Sequence, residues 1–280
     1  MEFLEDSIDV PVSEIGELSP EDKVKLEKQN SRIVSEFQAN KLEKDAMKNW
    51  DLFYKRNETR FFKDRHWTVR EFQELLGVQE KPGRRKMLEM GCGVGNLVFP
   101  LLEMDLNLFV FACDFSRRAV ELVKSNPLYD ESKIQAYQVD ITTDDVFSKI
   151  PQNSIDIITM VFVLSAIHPD NFLKTFENLF SLLLPGGILL FRDYGLYDMA
   201  QLRFKPGCKI ADNFYVRQDG TRSYYFCTEE LKALFQSVGF EILTLSYVHR
   251  RTVNKKEGID VPRIFVQAKL QKPPAAAVEV

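Results

Sequence analysis

The sequence predicts a single α/β domain in which a mostly parallel sheet of seven strands carries helices on both faces. After Lys86, short apolar runs bounded by turn residues alternate with helical patterns, which indicates right-handed βαβ crossovers. A glycine-rich turn directly follows the first of these runs, and two further runs close the series. The chain has 280 residues, which is enough for one elaborated domain of this class.

Four parts can be distinguished along the chain. Residues 1–22 contain eight acids and no Lys or Arg, which predicts a disordered acidic arm. Residues 23–80, which are basic and aromatic, are predicted to form a helical N-terminal extension. Residues 81–272 are predicted to form the α/β domain, and residues 273–280 a disordered tail.

The predicted sheet begins with five strands that are buried on both faces and are therefore apolar throughout. They are Met87–Met90, Leu106–Cys113, Ile134–Val139, Ile155–Leu164 and Ile188–Phe191. Helical patterns lie between them, such as Arg117–Ser125 and Asn171–Leu184. Thr228 is predicted to be the N-cap of a helix that ends near Gly239. Two last strands are expected at about Glu241–Val248 and Ile264–Leu270.

The composition restricts the class of protein. No apolar run approaches about 18 residues, so no membrane span is expected, and the acidic start does not resemble a signal peptide. Four scattered cysteines and three histidines predict no metal site and a reducing compartment, the cytoplasm or the nucleus. The net charge is −4, but outside residues 1–22 there are 37 basic and 33 acidic side chains. The net charge of the chain therefore neither favours nor excludes binding to nucleic acid.

The glycine-rich turn is the motif Leu88-Glu-Met-Gly-Cys-Gly-Val-Gly-Asn96. Gly91, Gly93 and Gly95 permit a tight turn and a close approach of the backbone to a ligand. Dinucleotide folds use the spacing G-x-G-x-x-G and direct helix amides at a pyrophosphate. The spacing G-x-G-x-G, preceded by Glu89, instead favours S-adenosylmethionine, whose sulfonium and amino groups are cationic. An NAD-dependent oxidoreductase is the competing class, which this spacing and the two last strands disfavour.

Acids at two successive strand ends support the same cofactor. Asp114 follows Gly91 by 23 residues and is placed against the ribose hydroxyls. Asp140 is placed against the adenine amino group, with Ile141 against the ring. Val161, in the fourth strand, is assigned to the same site. From the extension, Trp50 and Tyr54 lie four residues apart on one helix face, where they either cover the cofactor or only pack the helix on the sheet.

Two segments outside the cofactor motif bear on the methyl acceptor. In Arg60-Phe-Phe-Lys-Asp-Arg-His-Trp67, cations alternate with aromatic rings, which suits phosphates and unstacked bases or else forms a surface cluster over core Phe residues. The loop after the fifth strand begins with Arg192-Asp-Tyr194, which is expected to face the methyl group because ligands bind at the carboxyl ends of strands. The 32 residues from Leu196 to Cys227 are long for a loop, which itself indicates function.

The segments LEMGCGVGN, FFKDRHW and RDYGLYDMAQLRF together resemble the tRNA N3-methylcytidine methyltransferases of the methyltransferase-like group, from about residue 37 to 270. Within class I Rossmann-like methyltransferases, this resemblance implies the strand order 3-2-1-4-5-7-6 with the last strand antiparallel. It implies S-adenosylmethionine as cofactor and a cytosine in a tRNA anticodon loop as substrate. Some members need a partner, in certain cases an aminoacyl-tRNA synthetase such as seryl-tRNA synthetase. By this resemblance Phe61, Lys63, Asp64 and Arg65 would face the tRNA, and we assign Arg60 and Arg203 to the same surface.

Chemical roles follow from this interpretation. Cytosine N3 is a nucleophile without prior deprotonation, so the enzyme mainly exposes and aligns it. Tyr194 and Phe61 are candidates for stacking on the base, and Arg192 is grouped with the catalytic residues. Asp193 is predicted to lie near the exocyclic amine, where an acid stabilises the developing charge; the alternative is a structural acid paired with Arg192 or a backbone amide. Two other functions stay open, a small-molecule or protein methyltransferase and a non-catalytic cofactor-binding scaffold.

Overall fold

The computed structural model describes residues 17–77, 83–254 and 259–275. Most of the predicted acidic arm and of the predicted tail lies outside these residues. None of the helices in the described ranges is long and apolar enough to cross a bilayer. The strands of the described residues are β1 Arg85–Met90, β2 Leu108–Asp114, β3 Ile134–Gln138, β4 Ile155–Val161, β5 Leu183–Tyr194, β6 Lys209–Ala211, β7 Phe214–Val216, β8 Arg222–Tyr224, β9 Glu241–Asn254 and β10 Ile259–Gln271.

The helices divide between the N-terminal extension and the α/β domain. Those of the extension are α1 Pro20–Gln29, α2 Glu36–Lys44, α3 Ala46–Asn57 and α4 Thr68–Glu71. Those of the domain are α5 Val98–Glu103, α6 Arg117–Lys124, α7 Phe172–Leu182, α8 Met199–Leu202 and α9 Thr228–Val238. Serine residues cap three of the nine described helices: Ser19, Ser35 and Ser116 each accept a hydrogen bond from a backbone amide of the first turn. Glu21 and Asp22, assigned to the acidic arm, lie in the first turn of α1.

The central sheet has seven strands in the order β3-β2-β1-β4-β5-β10-β9. The first five are parallel, and β10 pairs antiparallel with both β5 and β9. Counted within this sheet, the order is 3-2-1-4-5-7-6 with the seventh strand antiparallel. The predicted fold class and strand order are therefore confirmed.

Two apolar clusters cover the two faces of the sheet. One contains Leu88, Met160 and Phe191 together with α7 and α9, and the other contains Met87, Val110 and Leu190 together with α5 and α6. Neighbouring residues of one strand point to opposite faces, which explains why the parallel strands read as continuous apolar runs. The first cluster is rich in aromatic rings, including Phe172, Phe176, Phe191, Phe226, Phe235 and Phe240.

Several predicted boundaries differ from the structure; β5, for example, begins at Leu183 and not at Ile188. β4 ends at Val161 and not at Leu164, which opens a turn of 3-10 helix. α7 ends at Leu182, because Leu184 precedes Pro185 and a residue before proline is disfavoured in the helical conformation. Cys227, in extended conformation, precedes α9, so that Thr228 is the first helical residue and not the N-cap.

The predicted long loop Leu196–Cys227 is folded. It contains α8 and a separate antiparallel sheet in the order β6-β7-β8, each strand three residues long. A strand of three residues shows too little alternation of polar and apolar side chains to be recognised from the sequence. This small sheet, called here the cap sheet, packs beside the carboxyl end of β5 through the bridge between Gly195 and Phe226.

Candidate cofactor and acceptor site

The glycine turn after β1 approaches its surroundings closely. Gly91, Gly93 and Gly95 all have positive φ, at 70°, 54° and 91°, a conformation that side chains with a Cβ rarely adopt. A Cβ on Gly91 would lie 2.2 Å from Cγ2 of Val163, and one on Gly93 would lie 3.0 Å from Oη of Tyr54. The amides of Gly91 and Cys92 both donate to the carbonyl of Cys113, which ties the turn to β2.

Two cavities open at the carboxyl ends of the parallel strands, with volumes of about 230 Å³ and about 160 Å³. We call them the first and the second cavity. They share five lining residues and so lie side by side in one cleft, and we call this shared wall the waist. The shared residues are Trp50, Tyr54, Gly91, Phe162 and Ala166.

The first cavity presents acceptors suited to a nucleoside. Asp114 is buried and accepts hydrogen bonds from the amides of Gly93 and Ser116, each at 2.8 Å. Burial raises the pKa of Asp114 to about 6. Asp140 uses Oδ1 to accept from Thr142, which leaves Oδ2 for a ligand. Ile141 adds a buried apolar surface to the same wall. These groups match the ribose hydroxyls, amino group and ring of adenosine.

The second cavity contains a buried carboxyl that suits a cation. Glu89 is 3% exposed, and its Oε2 has no hydrogen-bond partner within the described chain. Burial raises the pKa of Glu89 to about 8, an effect that Arg65 partly opposes. A buried acceptor without a partner costs free energy, which a cationic ligand group would recover. Glu89 therefore fits the amino group of S-adenosylmethionine, while Val161 lines the same cavity.

Trp50 and Tyr54 project from α3 to the waist of the cleft. Their rings stack at a centroid distance of 6.0 Å, and Tyr54 is almost fully buried. α3 is held against the domain by Asp51, which accepts hydrogen bonds from the hydroxyl of Ser116 and the amide of Arg118. The rings both pack α3 on the domain and line the cleft, and their covering of the cofactor stays a prediction.

Tyr194, at the end of β5, lines the second cavity. Its ring lies 5.0 Å from that of Phe162, centroid to centroid. The guanidinium carbons of Arg217 and Arg263 lie 5.7 and 5.8 Å from the centre of the Tyr194 ring. Cations at this distance are attracted to an aromatic face. The ring is thus held in place at the wall where an acceptor would lie, and its role in stacking stays a prediction.

Asp193 does not face the cleft as expected. It is fully buried and lines neither cavity. Its two oxygens accept hydrogen bonds from the backbone amides of Ser165, at 2.9 Å, and of Tyr194, at 2.8 Å. Burial raises its pKa to about 6. This geometry matches the structural alternative, in which the acid pairs with backbone amides and positions the ends of β4 and β5.

Arg192 also lines neither cavity. It shares a face of β5 with Tyr194, two residues further on, but only Tyr194 reaches the second cavity. The Arg192 guanidinium pairs with Glu71 of α4 and lies 4.3 Å from the centre of the Trp67 ring. Its expected place beside the methyl group is therefore corrected, since the side chain joins the extension to the sheet.

The segment Arg60–Trp67 is divided between the cavity and the surface. Phe61 is 59% exposed and yet lines the second cavity, so it lies at the mouth. Arg65, expected on the tRNA-facing surface, lies inside this cavity and donates from Nη1 to the carbonyl of Val161 at 3.2 Å. Burial lowers its pKa, although Glu89 opposes this. The other assigned residues are exposed and line neither cavity: Arg60, Lys63, Asp64 and Arg203.

Several cleft residues were not predicted as site residues. Phe162 lies at the waist with a φ of 59°, a strained conformation for which the sequence carries no signal. Arg217, Asp219 and Thr221, in the turn between β7 and β8, line the second cavity. The Asp219-Gly220 pair is a turn signal that could have indicated a hairpin here.

The rim of the first cavity joins three parts of the chain. Arg222 of β8 is buried, pairs with Glu43 of α2 and donates to the carbonyl of Ala166 at 3.2 Å. His168 lies on the same rim, where its Nδ1 accepts from the amide of Asp170 at the start of a 3-10 turn.

Comparison with known proteins identifies the relatives of this chain. A family profile described as a methyltransferase domain matches residues 33–245. The chain is 56% identical over 258 residues to the tRNA N(3)-cytidine methyltransferase METTL6 of Mus musculus, covering 92% of this chain and 91% of that protein. It is 42% identical to the tRNA N(3)-cytidine methyltransferase METTL2 of Danio rerio, covering 89% and 80%. A methyltransferase structure from Anabaena variabilis aligns with a TM-score of 0.58 at 15% identity, covering 81% and 94%.

The strand order, the glycine turn after β1 and the acids that end β2 and follow β3 define a class I S-adenosylmethionine-dependent methyltransferase. The cleft described above fits this cofactor. With relatives 56% and 42% identical over most of its length, the chain belongs to the family of tRNA N(3)-cytidine methyltransferases. The resemblance stated from the sequence is confirmed.

Proposed function

We propose that the protein transfers a methyl group from S-adenosylmethionine to N3 of a cytidine in the anticodon loop of tRNA. The observation that carries the proposal is the second cavity, which extends from Glu89 to the exposed ring of Phe61. Its lining combines a buried carboxyl, aromatic rings and arginine side chains. Such a lining suits the cation of the cofactor at one end and a base with its phosphates at the other.

The chemistry needs alignment more than acid or base catalysis. The lone pair of cytidine N3 forms a bond to the methyl carbon as the bond from that carbon to sulfur breaks, and its electron pair stays on sulfur. The cofactor supplies the activated methyl group. N3 is engaged in base pairing within a duplex, so the reacting base is unpaired or turned out of the stack. Correct alignment of this kind contributes about 7–11 kcal/mol to catalysis.

The chain's own residues would then hold both reactants. Tyr194, kept in place by Arg217 and Arg263, offers a ring on which the base stacks. Phe61 at the mouth offers a second ring. Arg65 lines the same cavity as Glu89, and its guanidinium carbon lies 5.6 Å from the centre of the Phe162 ring. Its positive charge favours an acceptor that arrives with negative charge.

We further propose that exposed cations of the extension bind the tRNA backbone and that a partner protein, such as an aminoacyl-tRNA synthetase, strengthens this binding. Arg60 and Lys63 are exposed beside Phe61. Outside the first 22 residues the chain carries 37 basic and 33 acidic side chains, so its overall attraction to RNA is weak. A few phosphate contacts give an affinity that falls steeply with salt.

The test is methyl transfer from labelled S-adenosylmethionine to total small RNA, followed by nucleoside analysis. N3-methylcytidine in tRNA is the expected product. Activity that appears only after addition of cell extract would support an obligatory partner. Turnover of small molecules or proteins, with RNA unlabelled in both conditions, would overturn the proposal.

A pair of charge-reversed variants examines the RNA surface. Lys63→Glu is expected to weaken tRNA binding and to flatten its dependence on salt, because one phosphate contact is lost. Lys232→Glu is the matched control, since Lys232 is an exposed lysine of α9 that lines neither cavity. Equal tRNA affinities of the two variants would show that Lys63 does not contact the tRNA.

A further inference from the structure

We propose that Asp219, held in the turn between β7 and β8, accepts a hydrogen bond from the exocyclic amino group of the acceptor base and so selects cytosine. The inference rests on the proposed function and adds a specificity-determining residue to it. Asp219 is half-buried and lines the second cavity beside Tyr194 and Arg217. It occupies the role that the sequence analysis assigned to Asp193.

The turn that carries Asp219 is closed by its own hydrogen bonds. The amide of Arg217 donates to the carbonyl of Thr221 at 2.8 Å, and the amide of Gly220 donates to the carbonyl of Arg217 at 3.0 Å. Oδ1 of Asp219 accepts from both the amide and the hydroxyl of Thr221, at 2.9 and 2.6 Å. One carboxylate oxygen therefore fixes the turn, and Oδ2 remains for a ligand.

The turn is also fixed relative to the cofactor cleft. The carbonyl of Gly220 accepts a hydrogen bond from Nδ2 of Asn49 in α3, at 3.0 Å. A Cβ on Gly220 would lie only 3.0 Å from that same side chain, so the two segments are in close contact. Asn49 directly precedes Trp50, which lines both cavities. The position of Asp219 is thus coupled to the helix that covers the cofactor.

Other carboxyl groups are poorly placed for the task. Among the described residues that line the second cavity, Glu89 and Asp219 are the carboxylic acids. Glu89 lies on β1 beside the glycine turn and is assigned to the cofactor's amino group. Asp193 has both oxygens occupied by backbone amides and lines neither cavity. Asp219, by contrast, lines the second cavity and has its Oδ2 available.

The chemistry of the base explains why an acid would select cytosine. Cytosine carries an amino group next to N3, and a carboxylate accepts a hydrogen bond from it. Uracil carries a carbonyl oxygen at the same place, which a carboxylate repels. Arg217 supports this arrangement, since it donates to the carbonyl of Arg222 at 2.7 Å while its guanidinium lies over the Tyr194 ring. The Tyr194 ring and the Asp219 carboxylate are therefore held in fixed positions relative to each other.

The first experiment uses Asp219→Asn in the full chain. Asparagine keeps the size of the side chain and the oxygen that accepts from Thr221, but it replaces the available oxygen by an amide nitrogen that donates. We expect kcat/KM for tRNA to fall on the order of 10–100-fold, as for loss of a hydrogen bond to a charged group. The affinity for S-adenosylmethionine alone should not change. Asp212→Asn, an exposed acid of the cap sheet paired with Lys209, is the matched control with wild-type kinetics expected.

The second experiment changes the substrate and compares its effect on the wild type and on the folded Asp219→Asn variant. The target cytidine of a tRNA is replaced by the 2-pyrimidinone nucleoside, which keeps N3 and lacks the amino group. Because N3 is less nucleophilic without the amino group, both enzymes should be slower on this analogue, but the wild type should lose about 10–100-fold more than Asp219→Asn does, since only the wild type loses the hydrogen bond. Equal fold losses of the two enzymes on this analogue, or wild-type kinetics of Asp219→Asn on normal tRNA, would overturn the inference. If the wild type methylates no tRNA at all, the proposed function fails instead.

Discussion

Arg192 of β5 and Glu71 of α4 form an ion pair in which the two side chains are only 4% and 7% exposed. Arg250 of β9 pairs with the other oxygen of the same carboxylate. The guanidinium of Arg192 also covers the face of Trp67, at 4.3 Å from the ring centre. The extension is therefore fastened to the sheet by a buried ion pair whose arginine lines neither cavity.

Removing this charge should lower stability without disturbing the cofactor. For Arg192→Met we expect the free energy of unfolding to fall by about 3–5 kcal/mol, towards the lower end because Arg250 still pairs with Glu71. Urea unfolding measures the change, and isothermal titration with S-adenosylmethionine should give the wild-type affinity. Arg117→Met, which removes an exposed pair with Glu121, is the control with little expected change. A stable Arg192→Met protein would contradict the assignment.

Binding of S-adenosylmethionine should release a proton from Glu89. Burial raises the pKa of Glu89 to about 8, so the carboxyl is largely protonated at pH 7 without ligand. A cationic ligand favours the carboxylate, and the affinity should therefore rise with pH between 6 and 7.5, by at most tenfold per unit. Titrations in two buffers of different ionisation enthalpy measure the proton. Glu89→Gln should bind more weakly with no such dependence, and absence of proton release from the wild type would refute the linkage.

The raised pKa of Glu89 also determines how the free energy of unfolding depends on pH. The pKa of Glu89 lies above its ordinary value of 4.5, so the folded state holds this proton more tightly than the unfolded chain does. Its contribution to the free energy of unfolding is complete below pH 4.5 and is lost as the pH rises towards 8. Thermal unfolding of wild type and Glu89→Gln across this range should converge at low pH and diverge at high pH in favour of the glutamine variant.

The glycine turn can be tested by comparing two alanine substitutions at positive φ. Gly91→Ala places a Cβ 2.2 Å from Val163, whereas Gly186→Ala, at a similar φ, meets nothing within 4 Å. Both carry a conformational cost of roughly 1 kcal/mol, but only Gly91→Ala should abolish detectable cofactor binding. Binding is measured by titration calorimetry. Equal affinities of the two variants would show that close packing at Gly91 is not required.

Asp193→Asn separates structure from chemistry. One oxygen of the carboxylate becomes an amide nitrogen, which would face the backbone amide of Ser165 or of Tyr194 as a second donor. A buried hydrogen bond is lost and a donor is left unpaired, so stability should fall by about 1–3 kcal/mol. Turnover at low temperature, where the variant is folded, should remain substantial. Loss of turnover with unchanged stability would instead show that Asp193 takes part in the reaction.

The sheet could be predicted because its signals are local and redundant. A buried parallel strand needs a continuous apolar run, and the glycine turn needs residues that accept positive φ, as Gly91 and Gly93 do. The acids Asp114 and Asp140 then follow from the spacing of strand ends. Each of these features repeats along the chain, so an error in one boundary, as at Leu164, does not alter the topology.

The acceptor side could be predicted only in part, because it depends on contacts between distant segments. Whether Arg65 points outward or to Val161 is decided by tertiary packing across 96 residues. Asp193 and Asp219 are both acids next to aromatic or turn residues in the sequence. Their difference, occupied oxygens in one and an available oxygen in the other, arises from backbone amides that only the folded chain brings near.

Trp50, at the waist between the cavities, can report ligand binding through its own fluorescence. The chain has two tryptophans, of which Trp50 lines both cavities and Trp67 lies under Arg192, away from them. A ligand that spans the cleft must alter the surroundings of the Trp50 indole and leave those of Trp67 unchanged. In a Trp67→Phe variant, emission would come from Trp50 alone, and stopped-flow fluorescence would then resolve the rates at which the cofactor enters and the product leaves.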